Sequence, residues 1–263
     1  MRLFIIIFFL FINLQANDSI TICGTGDSQE LLETLSFAYE KEHPDSKIII
    51  PQSIGSGGGI KSVAFDRCDL GRIARKIKHS EEQYNLNYLL FAKSAVVIVT
   101  NQNIKNITNI TTKEFINIFD GTINKWNQLD NKTNGKIYVA RRESGDSSTT
   151  VLEKNIKNFK KIKKLAGKVI FTTQEKLKIM CKYKNTIGYL PYSQVVHSKL
   201  HILNFDGIKP TIENIQENRY KLILPFGLVY KGKLNKLSQS FINFIQSKDG
   251  EDIILSHGSI PIK

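Results

Sequence analysis

Three short stretches carry the residues most able to do chemistry: "GTGDSQE" at 24–30, "IGSGGGIK" at 54–61 and "ARRESGDSST" at 140–149. Each follows an apolar run and leads into a segment with helical spacing. Each therefore puts glycines and hydroxyls where a helix begins. The first turns of a helix expose unpaired N–H groups and a partial positive charge, which together favour an anion. Gly57 and its neighbours let the backbone approach a ligand with no Cβ in the way. The hydroxyls of Ser28, Ser56, Ser147 and Ser148 can donate to oxygen, and the Arg142 guanidinium can hold two oxygens as a fork. The chemistry is that of an oxyanion site. Asp146, in the middle of the third stretch, is awkward company for an anion.

Each turn also has a purely structural explanation. Asp27 with Glu30 reads as a capping box, the glycines at 57–59 as a tight turn, and Asp146 as a helix cap. Neither nucleotide signature is present: no Gly-Lys-Ser/Thr follows the glycine run, and the third glycine of the dinucleotide fingerprint is missing. His197 and His201 are four apart, but "VVHSKLHIL" reads as a turn into a strand, and no Cys/His spacing suits zinc. No cofactor or metal is implied. A hydrolase on these turns lacks a metal cluster, a histidine near any turn and a G-x-S-x-G elbow.

The net charge of +13 suits anions, an anionic membrane or nucleic acid, but the lysines are spread along the chain among Asn and Ile. Nothing interleaves aromatic with basic residues as a nucleic-acid surface would, so none is expected as partner. The opening "MRLFIIIFFLFINLQA" has one basic residue and an apolar run too short to span a bilayer comfortably. It reads as a signal peptide cut near Ala16, giving an exported, periplasmic-type protein. Cys23 ends one predicted strand and Cys68 starts another. If these are parallel neighbours the two lie at opposite ends of the sheet, and no disulfide is expected.

The elements that must position the turns follow an α/β alternation. "SITICG" is a strand, "DSQELLETLSFAYEKEHP" a helix closed by Pro44, "KIIIPQS" a strand, "IKSVAFDR" a helix, "CDLGRIA" a third strand and "SAVVIVTN" a fourth of parallel-sheet type. Beyond residue 101 come the helix of "TTKEFINIFDG", the strand "KIYVARR", the helix "TTVLEKNIKNF", "NTIGYLPYSQV", the strand "LILPFGLVYKG" and a closing helix, "KLSQSFINFIQSKDGEDIIL". "AVVIV" and "PFGLVY" bracket the middle segment as two hinge crossings would. The expected architecture is α/β and two-lobed: two mixed sheets flanked by helices and joined by two hinge strands. The signal peptide occupies 1–16, lobe 1 takes 17–97 and 223–263, and lobe 2 takes 98–222.

Taken together, "GSGGGIKSVAFDRCDLG", "TTKEFINIFDGTINKWNQL", "NTIGYLPYS", "DGIKPTIENIQENRYKLILPFGLVYKG" and "FINFIQSKDGEDIILSHGSIPI" resemble, in order, segments of the periplasmic phosphate-binding proteins of ABC importers. The likeness covers nearly the whole chain. It implies a non-enzymatic, monomeric receptor that holds inorganic phosphate between two lobes and docks on membrane permease subunits. Another oxyanion, an organic phosphate, or a role as an exported sensor are the alternatives. The family's hydroxyl donors fall on Ser28 and Ser56, with the Gly57 amide, and its arginine on Arg142. The family's "R-x-x-G-S-G-T" becomes "R-E-S-G-D-S-S", so Ser147 and Ser148 become the helix-start donors. Some members have an aspartate in the segment that reads "GRIARKI" here, accepting the proton of hydrogen phosphate; this chain has Ala74, then Arg75, whose reach into a cleft is left open. Asp146, or else Asp27, is the candidate replacement acceptor, because a carboxylate accepts from protonated phosphate and repels sulfate.

Overall fold

The computed structural model describes residues 18–262, and the expected signal peptide lies outside them. The chain opens with β1 (Asp18–Gly24), α1 (Gln29–Glu42), β2 (Ser46–Ile49), α2 (Gly55–Ala64), β3 (Leu70–Ile73) and a long β4 (Leu86–Thr100). The middle comprises β5 (Asn109–Ile110), α3 (Thr112–Phe119), β6 (Tyr138–Arg141), α4 (Ser147–Asn155), β7 (Lys168–Val169), α5 (Thr173–Lys182), β8 (Thr186–Pro191), α6 (Tyr192–Val195), β9 (His201–Ile202), β10 (Asn204–Phe205) and α7 (Ile212–Gln216). It closes with β11 (Ile223–Lys231), α8 (Lys236–Ile245), α9 (Lys248–Ser256) and β12 (Ser259–Pro261).

The two expected mixed sheets are continuous with each other, in the order β2-β1-β3-β11-β4-β8-β6-β7. At one end β1 runs parallel to β2 and β3, and at the other β6 runs parallel to β7 and β8. β4 joins them. Its residues up to Ala95 pair with β11, and Val96 to Thr100 pair with β8. Both pairings are antiparallel, which corrects the expectation of a fourth parallel strand. The run from Ala95 to Val99 is apolar and wholly buried because both faces are covered, and burial on two faces does not encode strand direction. β4 and β11, the strands that contain "AVVIV" and "PFGLVY", are hydrogen-bonded neighbours through Leu86 to Ala95 and Ile223 to Lys231.

Helix starts follow local chemistry. Thr111 accepts from the Glu114 N–H while the Glu114 carboxylate accepts from the Thr111 N–H, a capping box that opens α3. The closing segment is two helices rather than one. Ser247 interrupts it by capping α9 through the Gly250 N–H. Gly250 itself packs so close that a Cβ there would sit 2.2 Å from the Phe244 carbonyl oxygen.

A second correction concerns the cysteines. Cys23 and Cys68 form a disulfide, with their Cα atoms 6.1 Å apart, inside the usual range. Cys68 does not start β3. It lies two residues before it, in the bend after α2, so strand register does not hold it away from Cys23. Cys181 remains a free, exposed thiol.

Candidate functional site

All three glycine-and-hydroxyl turns lie at the C-terminal ends of parallel strands, after β1, β2 and β6, where open α/β sheets bind ligands. The second and third face each other across a cleft of about 470 Å³, lined by Ser53 to Gly58, Arg75 and Arg142 to Ser147. Ser56 Oγ and Ser147 Oγ touch across it at 3.1 Å. Thr173, at the start of α5, ties the first turn to the third: its hydroxyl donates to Asp27 Oδ1 (2.9 Å) and accepts from Arg142 Nη1 (2.9 Å). The Gln174 amide adds a bond to the Gly26 carbonyl at 3.0 Å.

Arg142 is buried and fixed from several sides. It donates to the Phe171 carbonyl (2.8 Å) and, through Nε and Nη2, to the Glu143 carboxylate at 3.0 Å, while Asp146 Oδ2 lies 3.3 Å from Nη2. Its pKa is raised by these partners, so it stays a cation. Asp146 is spent on structure. It is the cap of α4, accepting from the Thr149 N–H at 3.0 Å, and its other oxygen faces Arg142.

Asp27 is placed differently. The expected capping box with Glu30 is not formed. Ser28 is the cap position of α1, without a side-chain cap bond, and the Asp27 carboxylate turns to Thr173 instead. Its second oxygen is buried with no hydrogen-bond partner. Burial, reinforced by Asp146 and opposed by Arg142, pushes its pKa up to about 7. The Ser28 and Ser148 hydroxyls are likewise buried and unpartnered. Such groups are costly to leave unsatisfied. α1 and α2 both begin without a side chain from the cap residue bonded to them, although the Gly55 N–H that opens α2 donates to Ser53 Oγ at 3.4 Å.

The remaining sequence candidates sit at the rim. Gly57 lines the cleft, and the Arg75 guanidinium lies 3.7 Å from the position its Cβ would take. Arg75 does not point freely at a ligand. It makes two 2.7 Å bonds to the Glu81 carboxylate. Ala74 offers no acceptor; its N–H donates to Ser56 Oγ at 3.1 Å and so aims that hydroxyl. His197 packs on His257, ring centroids 5.1 Å apart, and His201 bonds the Ile107 carbonyl, so the pair serves packing. Among the described residues no group of His, Cys, Asp or Glu is arranged to hold a metal.

A family model for the PBP superfamily domain matches residues 13–249. The chain belongs to the PBP superfamily. Members similar to it include the phosphate-binding protein PstS of Bacillus subtilis (strain 168), 24% identical over 94% of this chain and 82% of that one. PstS of Borreliella burgdorferi is 26% identical over 95% of this chain and 92% of that one. A Clostridium perfringens protein described as a phosphate ABC transporter substrate-binding protein, solved with bound phosphate, superposes with a TM-score of 0.81. It is 26% identical, over 94% of this chain and all of that one. The two-lobed fold expected from the sequence is the fold of this family.

Against that family fold, four site residues are absent from the sequence reading. Thr173 and Lys176 belong to α5, whose opening T-x-x-E (Thr172 capping through the Glu175 N–H) is legible as a helix start but not as a part of the cleft. Tyr189 is buried in β8; its hydroxyl accepts from the Arg142 N–H (3.1 Å) and pairs with Thr149 (2.7 Å). Arg72, wholly buried, binds the carbonyls of Ile22, Thr25 (2.7 Å) and Pro51 (2.6 Å) and so joins the first turn to the second. In the sequence Arg72 is only one basic residue among many.

Proposed function

We propose that the chain is an exported receptor that captures inorganic phosphate between two lobes, residues 17–97 with 223–263 and residues 98–222, and delivers it to the permease subunits of an ABC importer. The observation that carries this reading is the set of buried, unpartnered polar atoms in the first and third turns, Ser28 Oγ, Asp27 Oδ2 and Ser148 Oγ, turns that Thr173 ties together through Asp27 and Arg142. Two of the three donate and one accepts. That mixture suits an anion that still carries a proton. Ser28, Ser56 with the Gly57 amide, Arg142, Ser147 and Ser148 supply donors, and dense hydrogen bonding replaces the ligand's hydration shell without metal or cofactor. Asp27, rather than Asp146, takes the acceptor role, because both oxygens of Asp146 are occupied by the cap and by Arg142. Arg75 stays a rim residue paired with Glu81.

Binding without turnover, by a monomer with no nucleic-acid partner, completes the reading. The names and bound ligand of the relatives support it. The test is calorimetric titration of the mature, ligand-stripped protein with phosphate and then sulfate. One-to-one phosphate binding with no sulfate response is expected. Equal response to both anions removes the acceptor role of Asp27, and silence toward both removes phosphate as the ligand.

A further inference from the structure

Outside the cleft lining lies a buried cation that faces the charged groups of the anion site. Lys176, one helical turn after Thr173 in α5, is wholly buried, and its Nζ has no hydrogen-bond partner. The ammonium sits 3.5 Å above the centroid of the Tyr189 ring, whose hydroxyl is bonded to Thr149 and to the Arg142 N–H. The charges facing it come from two other elements: Asp27 in the turn after β1, and Arg142, Glu143 and Asp146 in the turn after β6. Lysine is almost never wholly buried unless paired, and a cation–π contact alone leaves its remaining N–H groups without acceptors.

The charge count explains what such a lysine is for. Arg142 and Lys176 bring two positive charges; Asp27, Glu143 and Asp146 bring three negative ones. With every group ionised, this set carries one net negative charge, while Lys61, Arg75 and Lys78, with Glu81, also line the cleft. Without the Lys176 proton the excess becomes two. Like charges at such range oppose an entering anion strongly in a poorly hydrated site.

We propose that Lys176 is a positioning residue that sets the charge of the anion site through Asp146 and Asp27, so that phosphate is held tightly only while its ammonium is protonated. This rests on the phosphate reading above. Burial, opposed by Asp146, pulls the Lys176 pKa down to about 7, so the proton is exchangeable near neutrality. An arriving anion favours the charged form. Capture near neutral pH is therefore accompanied by proton uptake at Lys176, and affinity falls as pH rises through that region.

The test compares phosphate affinity by calorimetry for the full mature chain, Lys176→Arg and Lys176→Met, at several values from about pH 6 to about pH 8.5. Phosphate's own titration is common to all three proteins, and Asp27 faces the same positive charge in wild type and Lys176→Arg wherever the lysine is protonated. The ratio of wild-type to Lys176→Arg affinity therefore isolates the lysine, since arginine keeps its charge throughout. That ratio is expected to be level at the acid end and to fall roughly tenfold toward the alkaline end. Lys176→Met is expected to bind on the order of tenfold more weakly at the acid end, with no extra alkaline loss. A pH-independent ratio, or Lys176→Met binding as tightly as wild type, overturns the inference while leaving the phosphate reading intact. Should Lys176→Met not fold, the wild-type to arginine ratio decides alone. Failure of the wild type to bind phosphate at any pH overturns the phosphate reading, and this inference with it.

Discussion

Asp27 and Asp146 show how two carboxylates in one site divide their work by geometry. Both were candidates in the sequence, since a carboxylate beside anion donors signals a proton acceptor whichever turn it stands in. Only three-dimensional contacts separate them. Asp146 serves the Thr149 N–H and Arg142, whereas Asp27 keeps one oxygen uncommitted and is held at a high pKa by burial. Discrimination should therefore follow Asp27. Asp27→Asn replaces a carboxyl that accepts through both oxygens once ionised with a group that always donates, and sulfate binding above neutral pH should rise until the two anions differ by less than about tenfold. Asp146→Asn keeps an acceptable cap and should preserve the preference for phosphate. Paired titrations of the two variants with phosphate and sulfate check this. An Asp146→Asn protein that takes sulfate while Asp27→Asn still refuses it would return the acceptor role to Asp146.

At the scale of elements, the strand-to-helix turns were legible because their signal is local: small residues, hydroxyls and a change of hydrophobic period. What joins the turns was not. Thr173, Tyr189 and Arg72 act on residues 21 to 146 positions away, and nothing in their own neighbourhoods marks them. The disulfide was missed for a related reason. A strand boundary placed two residues early turned a reachable pair into an unreachable one. Cys23 directly precedes the first turn, and the bond closes a loop of 45 residues, so it should add about 4 kcal/mol to stability. Chemical denaturation with and without reductant measures that difference. Thiol titration of the folded protein should count one reactive group, Cys181, and three after unfolding and reduction. Loss of less than about 1 kcal/mol would show that packing, not the bond, fixes the turn.

For the whole molecule, the two-lobed layout was legible from the order of elements and from sustained apolar runs. Strand direction at the junction was not, because a doubly buried strand looks the same either way. The buried ionisable pair also leaves a global signature. Asp27 has a folded pKa raised above its unfolded value, so its contribution declines as pH rises from about 4 to about 7. Lys176 has a folded pKa lowered below its unfolded value, so its contribution grows as pH rises from about 7 to about 10. The melting temperature of the ligand-stripped protein should therefore pass through a shallow minimum near neutrality. Scanning calorimetry across that range checks it, and a profile that is highest at neutral pH would contradict the burial of these two groups as charges.

The bonds that cross the cleft, Thr173 to Asp27, Gln174 to Gly26 and Ser56 to Ser147, are made between protein atoms. If the chain is the two-lobed receptor proposed above, such a latch makes closure a standing equilibrium that a ligand deepens rather than creates. For a transporter that recognises shape alone, each visit by an empty closed form is a false signal. Weakening the latch, as Thr173→Val would, trades capture strength for fewer of them. On the proposed reading, the hydroxyl of one threonine would set how often the machinery downstream is asked to work for no delivery.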